Sequence, residues 1–334
     1  MKREASFEAL LKGDVSKNAL SEILLLRGEW QEKLFALARQ KRQEYFPDGR
    51  VEVRSVIEVS NICKRRCNFC NMSSFSKIKR GYIISYEEMM KQAACIYSRG
   101  RRVILIQSGE NKSQKYIDFI SKCLIHIKQN FEDLIIILCL GELDPQQYRQ
   151  LRLAGADRYI LKFETSNSKL FEQIKPDEAL AQRIECLKVL HKVGFEVGSG
   201  NIIGLPNQTI EDIVNDLLFI GQLNLTMSSA SVFIPGEHSK YSCKPKGDCD
   251  TALNYMALMR ILYPQMLIPC VSALEKAKED GQFLGLTAGA NIVTIHDGTP
   301  EALKKLFPIY SVERFIPDEK YMRNIVLKAG LSFM

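Results

Sequence analysis

Hydrophobic and polar positions follow two different periodicities along the chain. Over the first fifty residues, apolar side chains recur at near-helical spacing, as at Leu20, Ile23 and Leu24. Ser16 precedes one of these stretches and has the side chain that commonly caps a helix. The pattern predicts an N-terminal helical segment, residues 1–50, that packs against the rest of the protein.

From residue 51 onward, short aliphatic or β-branched runs alternate with amphipathic stretches. The runs predict strands over 51–59, 103–106, 134–140, 159–163, 196–203, 231–234, 266–268 and 291–295. The stretches between them predict helices over 86–98, 114–129, 145–154, 178–192, 210–221 and 252–262. Strands that alternate with helices indicate an α/β fold, a (β/α)8 TIM-type barrel over residues 51–334 with the N-terminal helical extension.

Composition and charge limit the classes of function. The chain of 334 residues carries a net charge of +7, but its basic residues are scattered, so we expect no nucleic-acid partner. No apolar run reaches the ~20 residues that span a bilayer, and the first residues lack the apolar core of a signal peptide. We therefore expect a cytoplasmic protein with no membrane partner. In that compartment its ten cysteines favour metal binding or catalysis over disulfides.

Three cysteines stand close together directly after the first predicted strand. Cys63, Cys67 and Cys70 have the spacing C-x3-C-x2-C. A 4Fe-4S cluster usually takes four thiolates, so three leave one iron open for an external ligand. Structural zinc is the alternative, but it takes four protein ligands and no further pair lies nearby. The motif therefore predicts a 4Fe-4S cluster.

With Phe69 before its last cysteine, the motif resembles that of the radical S-adenosylmethionine (SAM) superfamily. The resemblance implies that the open iron binds the amino and carboxylate groups of SAM. It further implies that one electron from the reduced cluster cleaves SAM, and that the 5′-deoxyadenosyl radical takes hydrogen from a small-molecule substrate. A flavodoxin or ferredoxin is the implied electron donor.

Residues expected to bind SAM lie at the ends of predicted strands. Glu164 ends the fourth strand at the barrel mouth, where its carboxylate can bind ribose hydroxyls; a helix N-terminal charge is the alternative. By resemblance, Arg183 pairs with the carboxylate of SAM, the alternative being a solvated helix face. Small residues after the fifth strand let adenine approach the backbone. The other expected SAM contacts are Gln107, Ser108, Gly109 and Glu110, by resemblance through backbone carbonyls, and Gly204 and Leu205.

The resemblance extends over nearly the whole chain, to the group that contains biotin synthase, the FeFe-hydrogenase maturase of the E type and methylornithine synthase. In overall pattern the chain is most similar to the maturase, notably over Leu205–Thr209. It departs where the maturase has polar, threonine-rich barrel positions that bind an anionic substrate. Here Cys139, Phe163 and Cys270–Ser272 occupy the matching positions.

Four further cysteines are expected near the strand ends or in the loop after the sixth strand, and four thiolates suit an auxiliary iron-sulfur cluster. The alternative is that they are small buried apolar residues or incidental loop residues. A sulfur-donating cluster predicts the conversion of dethiobiotin to biotin. The second candidate function is hydrogenase maturation on an organometallic precursor, and the third is a methylornithine synthase-like mutase. A non-catalytic iron-sulfur scaffold is the remaining alternative. The four residues are Cys139, Cys243, Cys249 and Cys270.

Overall fold

The structure is a computed structural model and describes residues 2–76, 81–307 and 317–333. Three helices precede the first strand. Ser16 caps the second of them, because its Oγ accepts a hydrogen bond from the backbone N–H of Ala19 at 3.4 Å. The helices are α1 (Lys2–Leu11), α2 (Lys17–Leu24) and α3 (Glu29–Tyr45).

Eight parallel strands form a nearly closed barrel, which confirms the predicted fold class. Their order is β6-β5-β4-β3-β2-β1-β8-β7, and a single bridge between Met227 and Leu267 joins the two ends. A short ninth strand pairs with the beginning of β1. The strands are β1 (Arg50–Ser60), β2 (Val103–Ser108), β3 (Ile135–Cys139), β4 (Arg158–Ile160), β5 (Glu196–Ile203), β6 (Met227–Val232), β7 (Pro269–Cys270), β8 (Ile292–Ile295) and β9 (Ser332–Phe333).

Helices follow the strands and cover the outside of the barrel. None of those in the described part of the chain combines the length and the apolar content that crossing a bilayer requires. They are α4 (Tyr86–Ser98), α5 (Gln114–Asn130), α6 (Pro145–Leu153), α7 (Ser168–Ile174), α8 (Leu180–Val193), α9 (Ile210–Ile220), α10 (Cys249–Leu262), α11 (Ser272–Ala277), α12 (Gly281–Thr287), α13 (Glu301–Lys304) and α14 (Glu319–Lys328).

The predicted bounds of three strands and of one helix start are wrong. Strand β4 ends at Ile160 instead of residue 163. Strand β6 begins at Met227 instead of residue 231, because three serines within it weaken the apolar signal. Strand β7 comprises only Pro269 and Cys270, and proline lacks the N–H that a longer ladder needs. Helix α10 begins at Cys249 instead of residue 252, because Asp248 caps it by accepting from the N–H of Thr251.

Alternation along the strands separates two layers of side chains. On β3, Ile136 and Leu138 point outward into the large core beneath the helices, whereas Ile135, Ile137 and Cys139 point into the barrel. Residues 139, 160, 162 and 164 therefore face the barrel axis or its mouth. The same alternation decides which of the predicted site residues can meet.

Candidate active site

The cysteine motif forms the loop after β1, and backbone contacts hold that loop against the end of β2. The N–H of Gly109 donates to the carbonyl of Ser60 at 2.8 Å, and the N–H of Lys64 donates to the carbonyl of Glu110 at 3.1 Å. A Cβ atom at Gly109 would lie 2.5 Å from the carbonyl oxygen of Ile62. Only glycine therefore allows this close approach.

All three motif cysteines line one cavity of about 230 Å³ at the mouth of the barrel. Burial raises the pKa of Cys63 and of Cys70 above the ordinary range, so a bound cation is needed to keep these thiols deprotonated. Within the described residues, no three histidine, cysteine or acidic side chains converge closely enough for a single metal ion. A 4Fe-4S cluster spreads its thiolate ligands over several irons, so the wider arrangement of Cys63, Cys67 and Cys70 fits it better than zinc.

A buried cation lies beside the cysteine loop. Lys175 Nζ is 3.1 Å from Cys67 Sγ and 3.2 Å from a carboxylate oxygen of Glu178. Burial acts to lower the pKa of Lys175, but Cys67, Glu178 and Glu164 together raise it above the ordinary range of lysine. The lysine is therefore a permanent positive charge next to the second of the candidate ligands, Cys67.

Arg183 is 4% exposed, so the alternative of a solvated helix face is wrong. Its Nε lies 2.8 Å from Glu142, its Nη2 donates to Glu178 at 2.8 Å, and it lines the mouth cavity. Burial acts to lower the pKa of Arg183, but the carboxylates raise it. The guanidinium is therefore fixed by two carboxylates at the cavity wall.

Glu164 projects into the mouth cavity from the end of β4. Its side chain is 9% exposed, and Oε2 has no hydrogen-bond partner among the described residues. Its backbone has a positive φ of 63°, a conformation that costs energy for a non-glycine residue. An unpartnered buried carboxylate oxygen in a cavity is suited to a hydroxyl donor such as those of ribose.

The loop after Glu164 is anchored from below by a second buried acid. Asp216 accepts hydrogen bonds from the N–H of Ser166 at 2.5 Å and from the Asn201 side chain at 3.2 Å. Burial raises the pKa of Asp216 to about 6, although these donors act to lower it. Asp216 therefore fixes the position of Glu164 through the backbone.

The segment after β2 also borders the mouth cavity, with Gln107 additionally facing the barrel interior. Ser108 Oγ donates to the carbonyl of Gly109 at 2.7 Å. One carboxylate oxygen of Glu110 is engaged within the protein, because Arg65 Nε donates to Oε1 at 2.6 Å. The predicted contact of Glu110 with SAM is through its backbone carbonyl.

Gly204 and Leu205 are not among the residues that line the mouth cavity, so their place at the adenine stays a prediction. Gly204 has a φ of +85°, and a Cβ atom there would lie 2.3 Å from the Cα of Gly247. Its small size thus serves the close contact with the loop after β6. Leu205 is buried in an apolar cluster with Ile202 and Phe233, and these two residues line the cavity instead.

The four extra cysteines do not come together, so the ligand set predicted for an auxiliary cluster is wrong. Cys139 faces the barrel interior. Cys243 is exposed, and Cys249 is buried in the helical layer at the start of α10. Cys270 points outward between the cavity-lining Pro269 and Val271, and its thiol donates to the carbonyl of Ile292 at 3.1 Å.

A second cavity of about 250 Å³ continues from the mouth into the barrel. Its basic lining residues are Arg54, Lys162, Lys276 and His296, and none of the described residues that line it is acidic. Arg54 is 1% exposed, and its Nη2 has no hydrogen-bond partner in the described chain. The cavity is therefore suited to an anion.

His296 belongs to a buried hydrogen-bonded group in the wall of this interior cavity. Its Nδ1 lies 2.8 Å from Glu58 Oε1, and Thr299 Oγ1 donates to Glu58 Oε2 at 3.2 Å. A carboxylate on one ring nitrogen fixes the orientation of an imidazole and leaves the other nitrogen for a ligand. Sequence reasoning missed this group, because its members are about 240 positions apart.

Sequence reasoning also missed the charged residues around the cysteine loop. Arg65, Glu142, Lys175 and Glu178 all line or adjoin the mouth cavity, and no motif connects them. A signal existed for Glu142, which closely follows the third predicted strand as Glu164 ends the fourth. Acidic residues at the carboxyl ends of barrel strands point to the mouth.

Comparisons with known proteins find similar sequences and similar structures. A family model of the radical SAM superfamily matches residues 57–220. The "[FeFe] hydrogenase maturase subunit HydE" of Thermotoga maritima is 34% identical over 304 residues, 91% of this chain and 86% of the relative. A biotin synthase of Rippkaea orientalis is 27% identical over 305 residues, 86% of this chain and 80% of the relative. The crystal structure of methylornithine synthase has a TM-score of 0.82 at 22% identity, covering 98% of this chain and 96% of that one.

Proposed function

The chain belongs to the radical SAM superfamily and is a radical SAM enzyme, and we propose that it acts on a small anionic substrate bound in the interior cavity. When bound, a 4Fe-4S cluster and SAM supply a 5′-deoxyadenosyl radical. The observation that carries the proposal is the continuity of two cavities. One contains the cysteine motif and the unpartnered carboxylate of Glu164, and the other has a cationic lining.

We assign the cofactor-binding roles to residues of the mouth cavity. Cys63, Cys67 and Cys70 would hold the cluster, and Glu164 would accept from the ribose hydroxyls of SAM. The backbone of Gln107–Glu110 would contact its amino group. Arg183, held by Glu142 and Glu178, is suited to the methionine carboxylate. The apolar residues Ile202 and Phe233 would border the adenine.

The residues of the interior cavity would bind and orient the substrate. Lys162 Nζ donates to Ser231 Oγ at 2.9 Å, and both residues line the passage between the cavities. Farther inside, Arg54 offers the N–H groups of its unpartnered Nη2. The apolar side chains of Leu105, Ile160 and Met227 exclude water around these donors. A carboxylate suits such a site.

Among the related activities, we propose a maturase-like reaction on an anionic, organometallic precursor. Its support is the 34% identity to the hydrogenase maturase, against 27% to the biotin synthase. The separation of Cys139, Cys243, Cys249 and Cys270 also removes the ligand set on which sulfur donation was predicted. In the maturase pattern, threonines bind the anionic substrate. In this chain, the basic residues of the interior cavity would bind it instead.

Sulfur insertion into dethiobiotin is the second candidate. The similarity to a biotin synthase and the inward-facing Cys139 favour it. Dethiobiotin carries a carboxylate, so the charge of the cavity is compatible with both candidates. An auxiliary cluster would need ligands other than the predicted four. Methylornithine has two amino groups, and a cavity without acidic lining residues in the described chain is less suited to it.

Superfamily members also need an electron donor. The net charge of +7 is favourable for an acidic flavodoxin or ferredoxin, and we propose a protein of that kind. No nucleic-acid partner is proposed.

The test is SAM cleavage by anaerobically reconstituted protein. With a reductant, the wild type should form 5′-deoxyadenosine and methionine and contain about four irons, the content of a single cluster. Alanine at any one of Cys63, Cys67 and Cys70 should abolish cleavage. Cys95→Ala is the matched control, because this cysteine lies on α4 away from both cavities. Normal turnover in any motif variant would contradict the cluster assignment.

Two further results separate the candidate substrates. Formation of biotin from dethiobiotin, with loss of protein-bound sulfide, would favour sulfur insertion and overturn the maturase-like proposal. Arg54→Met should weaken binding of an anionic substrate while leaving SAM binding unchanged, because Arg54 lines only the interior cavity. Equal losses of both affinities would contradict the separation of the two sites.

A further inference from the structure

The two cavities meet at a narrow set of shared residues. Among them, Cys139 alone has a bond to hydrogen that is weak enough for a carbon radical to break readily, since S–H bonds are weaker than amide, ammonium, hydroxyl or aliphatic bonds to hydrogen. Because Cys139 lines both cavities, its thiol lies between the place assigned to SAM and the place assigned to the substrate. The shared residues are Gln107, Cys139, Ile160, Lys162 and Ser231.

The local structure holds this thiol in place. Cys139 ends β3, pairs in register with Gln107 of β2, and points inward with Ile135 and Ile137. Its thiol makes no hydrogen bond to any described residue. Burial raises the pKa of Cys139 to about 11, although Lys162 acts to lower it. At neutral pH the group keeps its hydrogen.

A second observation indicates that a ligand belongs at this position. Glu164 lines the same mouth cavity as Cys139, is nine-tenths buried and has an unpartnered carboxylate oxygen. An acceptor that stays unsatisfied in the protein alone requires a donor from a bound molecule. Because Glu164 and Cys139 border one continuous space, the molecule that satisfies the carboxylate occupies the cavity that the thiol also lines.

We propose that Cys139 relays a hydrogen atom from the substrate to the 5′-deoxyadenosyl radical. The inference rests on the proposed function. The thiol first gives its hydrogen atom to the 5′ carbon, which breaks the S–H bond, forms a C–H bond and leaves a thiyl radical on Cys139. The thiyl radical then takes a hydrogen atom from the substrate and becomes a thiol again. Atoms and electrons balance, and no further oxidant or reductant enters the relay.

The first half of the relay can be followed without the substrate. The S–H hydrogen exchanges with solvent, whereas hydrogens on carbon do not. Reconstituted protein in D₂O, given SAM and dithionite, should therefore form 5′-deoxyadenosine in which most molecules carry one deuterium. Mass spectrometry of the nucleoside measures this label independently of the rate. Dithionite reduces the thiyl radical in the absence of substrate, so the thiol is restored for further turnovers.

Cys139→Ala should form 5′-deoxyadenosine without deuterium. Cys139→Ser should give the same result, because the O–H bond of serine is too strong for the 5′-deoxyadenosyl radical to break. Cys123→Ala is the matched control, since this cysteine is buried in α5 outside both cavities and should retain the label. Iron content and SAM binding by equilibrium dialysis check that the Cys139 variants are folded. If the alanine variant is not folded, the label in the serine variant decides the question.

The outcomes separate the two levels of inference. Wild-type protein that forms no 5′-deoxyadenosine would overturn the proposed function. Wild-type protein that forms only unlabelled 5′-deoxyadenosine would overturn the relay and leave the function intact. A label that persists in both folded Cys139 variants would also overturn the relay, because the hydrogen would then come from another exchangeable group.

Discussion

At the scale of single residues, the mouth of the barrel is a set of buried charges, most of which form ion pairs with one another. Arg65, Lys175 and Arg183 are each paired with carboxylates nearby. Glu164 keeps an oxygen without a partner in the described chain. Buried charges are stable only when they are paired, so this oxygen marks the place of a donor that the protein itself does not supply.

Glu164→Gln should therefore weaken SAM binding. The amide keeps the size of the side chain but loses the charge that strengthens hydrogen bonds to hydroxyls, and the expected loss is roughly tenfold in Kd. Equilibrium dialysis with labelled SAM measures it, and the iron content should stay unchanged. Glu132→Gln, at an exposed position, is the control. Unchanged SAM affinity in Glu164→Gln would remove the ribose-binding role.

Asp216 predicts a pH dependence of stability. Its pKa is raised to about 6 in the folded protein by burial, so the folded state holds a proton that the unfolded state loses near pH 4. The free energy of unfolding therefore falls as the pH rises from about 4 to about 6, by roughly 3 kcal/mol from this group, and is level above that window.

The measurement is urea unfolding of the metal-free protein, at several pH values, for the wild type and Asp216→Asn. The asparagine does not titrate, so the wild type should lose stability relative to the variant between about pH 4 and about pH 6. A difference between the two proteins that is constant over this window would show that Asp216 titrates normally.

At the scale of elements, the site depends on the contact between the loop after β1 and the end of β2. The loop bearing the three cysteines crosses Gly109 so closely that a Cβ there would lie 2.5 Å from the Ile62 carbonyl and 2.8 Å from Cys63 Cβ. Backbone atoms cannot give way as the end of a flexible side chain can. The spacing of the thiols is therefore set by this strand end.

Gly109→Ala should displace the cysteine loop and lower the iron content of reconstituted protein severalfold, with a modest loss of stability of about 1–3 kcal/mol from the crowding. Gly221→Ala is the matched control. That glycine has an ordinary helical φ of −62°, and its nearest contact is a tyrosine hydroxyl at 3.1 Å. Full iron content in Gly109→Ala would show that the loop tolerates the shift.

Elements also explain what the sequence predicts and what it does not. The motif cysteines are close in sequence, so spacing alone brings them together. Cys139 and Cys270 depend instead on which way a strand end faces, and the predicted seventh strand ended at residue 268, before Cys270. In the structure Pro269 and Val271 take the inward positions, so Cys270 is turned outward. The pairing of Arg65 with Glu142 joins residues 77 positions apart, and no local pattern contains it.

At the scale of the whole molecule, the two cavities of the barrel differ in the charges that surround them. Mixed charges surround the cysteine loop at the mouth, whereas the charged groups of the interior cavity are basic. Arg54 is held at the bottom by Glu52, which Arg158 also contacts at 2.9 Å. Under the proposed function, the mouth would hold the cationic sulfonium of SAM near acidic residues, and the interior cavity would attract an anion.

The division into an N-terminal segment, residues 1–50, and a barrel, residues 51–334, stays a prediction. The packing between them indicates whether they unfold together. Leu20, Ile23 and Leu24 of α2 are fully buried. The side chain of Asn254 on α10 donates to the carbonyls of Leu24 and Leu26 at 3.0 and 2.9 Å. A segment that buries its apolar face on the barrel has no separate core to keep it folded alone.

We therefore expect the N-terminal helices and the barrel to unfold in one transition. The only tryptophan, Trp30, lies on α3 and packs on Phe7 with ring centroids 5.7 Å apart, so its fluorescence follows the N-terminal segment. Far-UV circular dichroism follows mainly the barrel, which contains most of the helices and strands. In urea the two signals should have the same midpoint, and Leu24→Ala, which opens a cavity at the contact, should lower both together. Two separate midpoints, or a shift of the tryptophan signal alone, would show that residues 1–50 form an independent unit.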